Sequence, residues 1–150
     1  MSRAIIANGT KLQMGSGGVS ITTFVTIPEV MKISGPSVKF ALLDVTSHDT
    51  IGNFREYIPG LADGDTISAE LNWRPSNYIH QALRADSYAR DLCLFQVIFP
   101  ASSGDSEDAG SDENTCSVSG YIAGLTPKAD IGAVLTAALE IKVTGAPTWS

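Results

Sequence analysis

The sequence is short of the residues that do chemistry. Its 150 residues include two cysteines, two histidines and two tryptophans. A metal centre needs three or four converging ligands, and neither Cys93 nor Cys116 falls at a ligand spacing from His48 or His80. No metal, no cofactor and no catalytic residue is therefore expected. His48 reads as a loop histidine beside Asp49, and His80 as a histidine on the solvent face of a helix. "MGSGG" lacks the Lys-Ser/Thr ending and the strand-to-helix setting of a phosphate-binding loop, so it reads as a turn. "DSEDAGSDEN" matches a calcium loop in composition only, without the glycine at position six and the closing glutamate. A glycosidase carboxylate pair would want an aromatic-lined cleft, and the tryptophans are only Trp73 and Trp149.

Positive charge is also sparse. The ten Lys and Arg are scattered, and the formal net charge is -6. A protein that grips DNA shows a basic patch or stripe, so that class is excluded. Five acids, Asp105, Glu107, Asp108, Asp112 and Glu113, fall within one Ser/Gly-rich tract. Without them 11 acidic residues face 10 basic ones, and the rest of the chain is nearly neutral. No run approaches the roughly 20 apolar residues of a membrane span. "MSRAIIANGTKLQMG" holds no apolar stretch long enough for a signal peptide. Synthesis in a cytoplasm, away from membranes, is the expectation.

What the chain does have is strand pattern. At 150 residues it suits one domain. Short strands are expected at Lys11–Met14, in "SITTFVTI" up to Pro28, and in "EVMKISG", where Val30 and Lys32 alternate with Met31 and Ile33. Another is expected in "SVKFALLDVT", with Val38, Phe40 and Leu42 on one side. Residues 46–65 then read as a long loop, because Gly52, Pro59, Gly60 and Gly64 punctuate it. That loop carries Phe54, Tyr57, Ile58 and Leu61, more apolar bulk than solvent favours. "TISAELNW" alternates without error: Ile67, Ala69, Leu71 and Trp73 against Thr66, Ser68, Glu70 and Asn72. A helix follows over Ser76–Ser87, with Pro75 in its first turn and a stripe of Ile79, Ala82 and Leu83 widened by Tyr78 and Ala85. "DLCLFQVIFP" reads as a central strand covered on both faces. Residues 101–114 form an acidic mobile loop. "TCSVSGYIAGLTP" and "GAVLTAALEIKVTG" close the chain as strands. The last points Leu135, Ala137, Leu139, Ile141 and Val143 inward, and Thr136, Ala138, Glu140 and Lys142 outward. The two cysteines read as buried thiols, with a disulfide open to them if their strands are neighbours. The fold class is mainly β: an antiparallel β-sandwich or barrel with one flanking α-helix.

Three segments carry a likeness beyond pattern. They are "GTKLQMG", then "VTIPEVMKISGP", then "LLDVTSHDTIGNFREYIPGLADGDTISAELNWRPSNYIHQAL". The I-P-E-V-x-x-I-S-G-P string from Ile27 to Pro36, the D-V-T at Asp44–Thr46 and the Y-I-P-G-L-A-D-G-D turn at Tyr57–Asp65 together resemble the tail tube (major tail) proteins of long-tailed bacteriophages. The likeness covers roughly residues 9–145. It implies a β-sandwich of which six copies form a ring, the rings stacking into a tube whose continuous inner barrel carries phage DNA. It implies as partners other copies of the chain, the tail tip, the tape measure and the terminator. It implies double-stranded DNA passing without specific binding, and the phage virion as location. Some relatives add an immunoglobulin-like C-terminal domain, which a chain ending at Ser150 is expected to lack.

Two sets of residues are candidates for these roles. Ile5 and Ile6 in an N-terminal arm (residues 1–8), with Phe54, Tyr57, Ile58 and Leu61, are expected at contacts between subunits or rings. Packing of the four loop residues on the chain's own core is the competing expectation. Thr66, Ser68, Glu70, Asn72, Thr136 and Glu140 are expected to face the channel, where small neutral or acidic groups let DNA slide. An attractive lining would bind phosphate non-specifically through counterion release. The alternatives are another tail component of this fold, such as a terminator, and a carbohydrate-binding β-sandwich, which would need exposed aromatics. An enzyme comes last.

Overall fold

The computed structural model describes residues 7–15, 23–49, 51–100 and 114–150. Ile5, Ile6, the "SGG" after Gly15 and the acidic tract up to Glu113 lie outside them. The described strands are β1 (Lys11–Gly15), β2 (Phe24–Thr26), β3 (Val30–Ser34), β4 (Val38–Asp44), β5 (Tyr57–Gly64), β6 (Thr66–Asn72), β7 (Cys93–Ile98), β8 (Thr115–Lys128) and β9 (Thr136–Trp149), with helix α1 (Tyr78–Ala89) between β6 and β7. A seven-stranded antiparallel sheet runs in the order β2-β1-β7-β8-β9-β6-β3, and β4 pairs with β5 as a separate two-stranded sheet. The mostly β, antiparallel architecture with one described helix is the one the sequence pattern implies.

The large sheet curls because its two edge strands are consecutive in the chain. Only Ile27, Pro28 and Glu29 separate β2 from β3. At this corner the Ile27 N–H donates to the Leu12 carbonyl at 2.9 Å, and the Asn72 N–H donates to the Glu29 carbonyl at 2.9 Å. One short turn thus bonds to both ends of the sheet. Glu29 takes a positive φ of 65° there, a conformation uncommon outside glycine. The I-P-E-V string is the sequence of this corner.

Period-two alternation places the core. Ile67, Ala69 and Leu71 of β6 face Ala137, Leu139 and Ile141 of β9 in register, and all six are buried. Leu12, Phe95, Val97, Cys116 and Val118 continue the same interior. At Gly120 a Cβ would lie 2.6 Å from the Lys142 carbonyl oxygen, so only glycine fits where β8 crosses β9. Cys93 opposes Gly120 and Cys116 opposes Val97. The cysteines therefore sit on neighbouring strands out of register, and both are free and buried.

Four expectations need correction. First, residues 57–64 are a strand, not the end of a loop. Pro59 and Gly60 look like a turn, yet β5 has one free edge, where proline is tolerated, and a bulge near Ala41 absorbs Gly60 and Leu61. Second, β3 does not alternate cleanly. A register shift between Val30 and Lys32 leaves Val30 and Ile33 against the core and Met31 exposed. Third, α1 starts at Tyr78, not Ser76. Pro75 sits in a turn closed by the Asn77 N–H on the Arg74 carbonyl at 2.9 Å. Asn77 then caps the helix, its Oδ1 accepting from the Ile79 and His80 N–H groups. Tyr78 and Ala85 point to solvent, and β7 is only half covered on its outer face.

The fourth correction is His80, which is fully buried. Its Nδ1 accepts from the Arg74 N–H at 3.0 Å, and its Nε2 lies 3.1 Å from the Pro28 carbonyl. With Nδ1 accepting, the neutral ring carries its proton on Nε2 and donates to Pro28. The ring stacks on Trp73, centroids 5.2 Å apart. His80 therefore joins α1, the end of β6 and the sheet-closing corner.

Candidate assembly surfaces

β3 continues into β4, and β5 into β6, so two long segments pair over most of their length. The inner half, β3 with β6, belongs to the curled sheet. The outer half, β4 with β5, leaves it as an arm. At 3.2–3.4 Å per residue the arm reaches roughly 25 Å from its root. Its tip is built by the D-V-T string. Asp44 Oδ1 accepts from both the Thr46 N–H and the Thr46 hydroxyl, which holds the Asp44 carboxyl below its usual range. Thr46 Oγ1 in turn accepts from the Glu56 N–H at 3.0 Å.

The arm's root is ionic. Asp65 Oδ2 lies 2.6 Å from Lys39 Nζ and 3.1 Å from the Ser37 hydroxyl, and the Asp65 N–H donates to the Ser37 carbonyl at 2.9 Å. The Lys39 ammonium, then the Thr66 N–H and the Ser37 hydroxyl, hold the Asp65 carboxyl down to about 2. Lys142 Nζ bonds Asp63 at 2.9 Å and the Gly64 carbonyl at 2.7 Å. A Cβ on Gly64 would come within 2.7 Å of Val143, so the root packs directly on β9. The Asp65 carboxyl is depressed in the fold, so its contribution is complete above the ordinary value of 3.8 and is lost as pH falls towards 2. Hydrogen-exchange protection of the Asp65 amide should fall over that window. In Asp65→Asn it should be lower and flat across it.

Every residue of β4 is exposed, and so is most of β5. Val38, Phe40, Leu42 and Leu43 are each more than half exposed, and Leu61 is 95% exposed. Of the candidate contact residues, Tyr57 and Ile58 lie along β5, opposite Asp44 and Leu43. Phe54 lies in the connection to the arm's tip, 77% exposed. None of the four belongs to the buried core of the described residues. Sequence reasoning assigned Val38, Phe40 and Leu42 to a strand but gave them no contact role. Their alternating apolar bulk, close in sequence to a second apolar segment, was the available signal.

The candidate channel residues share one outer face. Ser68 opposes Glu140, Glu70 opposes Ala138, and Asn72 opposes Thr136 across β6 and β9, with Thr66 opposite Lys142. Of these, Ser68, Glu70 and Thr136 line a depression of about 340 Å³ together with Lys32, Ser34 and Lys128. Lys142, read from sequence as a balancing charge on this face, instead reaches to the arm's root. Lys32, opposite Glu70 across β3 and β6, and Lys128, opposite Thr136 across β8 and β9, add positive charge to this face.

Among the described residues no three His, Cys, Asp or Glu side chains come together as a metal site, and no described helix is long and apolar enough to cross a membrane. Burial, with Asp86 adding to it, pushes the Cys93 thiol up to about 11. Burial also raises Cys116. Neither is a ready nucleophile, since the thiolate is the reactive form.

No curated protein matches the sequence. Among solved structures, the tail of an empty GTA particle with C6 symmetry superposes at a TM-score of 0.76 with 19% identity, covering 98% of this chain and 99% of that one. The SPP1 tail tube gives 0.69 at 9% identity, over 98% of this chain and 80% of that one. The tube-terminating cap of the anti-feeding prophage gives 0.67 at 13% identity, over 100% and 93%. These likenesses establish the fold. The family described as phage tail tube, TTP, lambda-like matches residues 3–150, and the chain, matched over nearly its whole length, belongs to that family of structural tail proteins.

Proposed function

We infer that six copies of this chain close into a ring, the symmetry of the related GTA tail, and that rings stack into the tube of a phage virion. Its role is structural and not enzymatic. The bore is lined by the outer face of β6 and β9, with Thr66, Ser68, Glu70, Asn72, Thr136 and Glu140 turned to it. Small hydroxyls, with Glu70, Glu140, Lys32 and Lys128 giving charges of both signs, make a surface along which double-stranded DNA slides without being gripped. The tip, tape-measure and terminator proteins of the tail are its other partners.

The arm carries this reading. A lone two-stranded hairpin is marginal in water, and this one exposes apolar residues on both faces. It becomes stable only when neighbours cover it, and identical neighbours are the simplest source. Negative-stain microscopy of the purified protein tests the idea. Rings or tubes with a bore that admits a DNA duplex are expected. A protein that stays monomeric at every concentration and salt condition would sink it.

A further inference from the structure

Among the described residues His80 is the one buried polar side chain, and the tube reading makes no use of it. Both ring nitrogens are bonded to backbone groups. Nδ1 accepts from the Arg74 N–H at 3.0 Å, and Nε2 donates to the Pro28 carbonyl at 3.1 Å. One face of the ring lies on Trp73, the two planes 8° apart. The site therefore has a place for one ring proton. A second proton would sit on Nδ1 and point at another N–H, with no acceptor there to receive it.

The charged groups of the surrounding elements are engaged elsewhere or exposed. In the corner, the Glu29 carboxylate lies 3.7 Å from the Arg74 guanidinium and accepts from the Asn72 side-chain amide at 3.3 Å. On α1, Asp86 accepts from the Cys93 thiol at 3.8 Å, and Tyr78, Arg84, Tyr88 and Arg90 are exposed or past the end of the helix. Glu70 of β6 and Lys32 of β3 are exposed on the outer face. β8, on which α1 also packs, brings the exposed Tyr121 and Lys128 and the buried Cys116. No carboxylate is bonded to the ring.

We propose that His80 is an acid-sensitive latch on the corner that closes the large sheet. Neutral, the ring holds α1 and the Arg74 turn to Pro28; a proton taken from solvent on Nδ1 releases them. That proton uses the lone pair on which the Arg74 N–H now rests. It breaks the bond and leaves a charge in a buried site, so the ring must move out to water. The β6–β9 ladder shares none of these bonds, and the opening is local to the corner, the Arg74 turn and the first turn of α1. The fold excludes a proton that the unfolded chain binds. Its stabilisation is therefore full at the alkaline end of the range in which histidine changes charge, about pH 8, and is lost as the pH falls towards about 5. The latch belongs to a single subunit and does not depend on the tube reading.

Urea unfolding of the wild-type chain and of His80→Gln, at about pH 8 and about pH 5, tests the latch. Glutamine offers one acceptor and one donor but takes no proton. Between the two conditions the wild-type folding constant should fall at least about fivefold more than that of His80→Gln, and about thirtyfold more where the fold excludes the proton completely. A smaller difference overturns the proposal. His48→Ala and Glu29→Gln should each keep the wild-type dependence; its loss in either places the proton elsewhere and also overturns it. Should His80→Gln not fold even at the higher pH, nitrogen NMR of the wild-type ring gives the reading. In the folded chain at the lower pH, His80 should still carry its proton on Nε2 alone. A doubly protonated ring, with amide exchange at Ile27 and Asn72 unchanged, overturns the latch.

Discussion

A chain carrying Leu42→Asp and Leu61→Asp should fold normally and form no tubes. Leu42 is 61% exposed and Leu61 is 95% exposed, so neither supports the core. Substitutions at such surface sites usually change stability by less than about 0.5 kcal/mol, and the thermal midpoint should barely move. Assembly is another matter. Burying each leucine against a neighbour contributes about 1.5–3 kcal/mol. Losing both lowers the association constant about a hundredfold to ten-thousandfold per contact, before the cost of burying a carboxylate is added. Circular dichroism and sedimentation on the same sample check both halves. An unfolded double variant would show that the arm supports its own subunit, contrary to its exposure.

His80→Phe should have the largest effect on stability. Phenylalanine keeps a flat ring to lie on Trp73 but can neither accept from the Arg74 N–H nor donate to the Pro28 carbonyl. Each stranded buried group costs about 1–3 kcal/mol, so the pair costs about 2–6 kcal/mol. For a chain of this size the thermal midpoint should fall by roughly 5–20 °C. Pro28 lies in the corner that closes the sheet, so amide exchange should rise first at Ile27 and Asn72, whose N–H groups bond across that corner. A midpoint unchanged by the substitution would mean that the two bonds contribute little.

The two histidines show what the sequence could disclose. His48 lies in an exposed connection, as its Gly- and Asp-rich surroundings suggest. His80 was misread because its partners are backbone groups six and 52 residues away, and backbone groups leave no mark in a residue pattern. A weaker signal was present: His80 lies between Ile79 and Leu83, both buried, on one narrow helical face. Strand β6 was fully legible because one buried face imposes strict alternation. Strand β5 was not, because an arm bare on both sides has no reason to alternate, and Pro59, Gly60 and Gly64 then dominate the reading. The same logic applies to the candidate contact residues. Phe54, Tyr57, Ile58 and Leu61 stood out as apolar excess. Ile131 drew no reading and Val134 fell within the last expected strand; both are exposed among the described residues.

Because β3 and β6 run on into the arm, the interior of the body sets the phase of the arm. Sliding one arm strand past the other by a single residue would require the same slip between β3 and β6. That slip would turn Ile67 and Leu71 out to water. The order of side chains along the arm is thus indexed, one by one, by the core of the body.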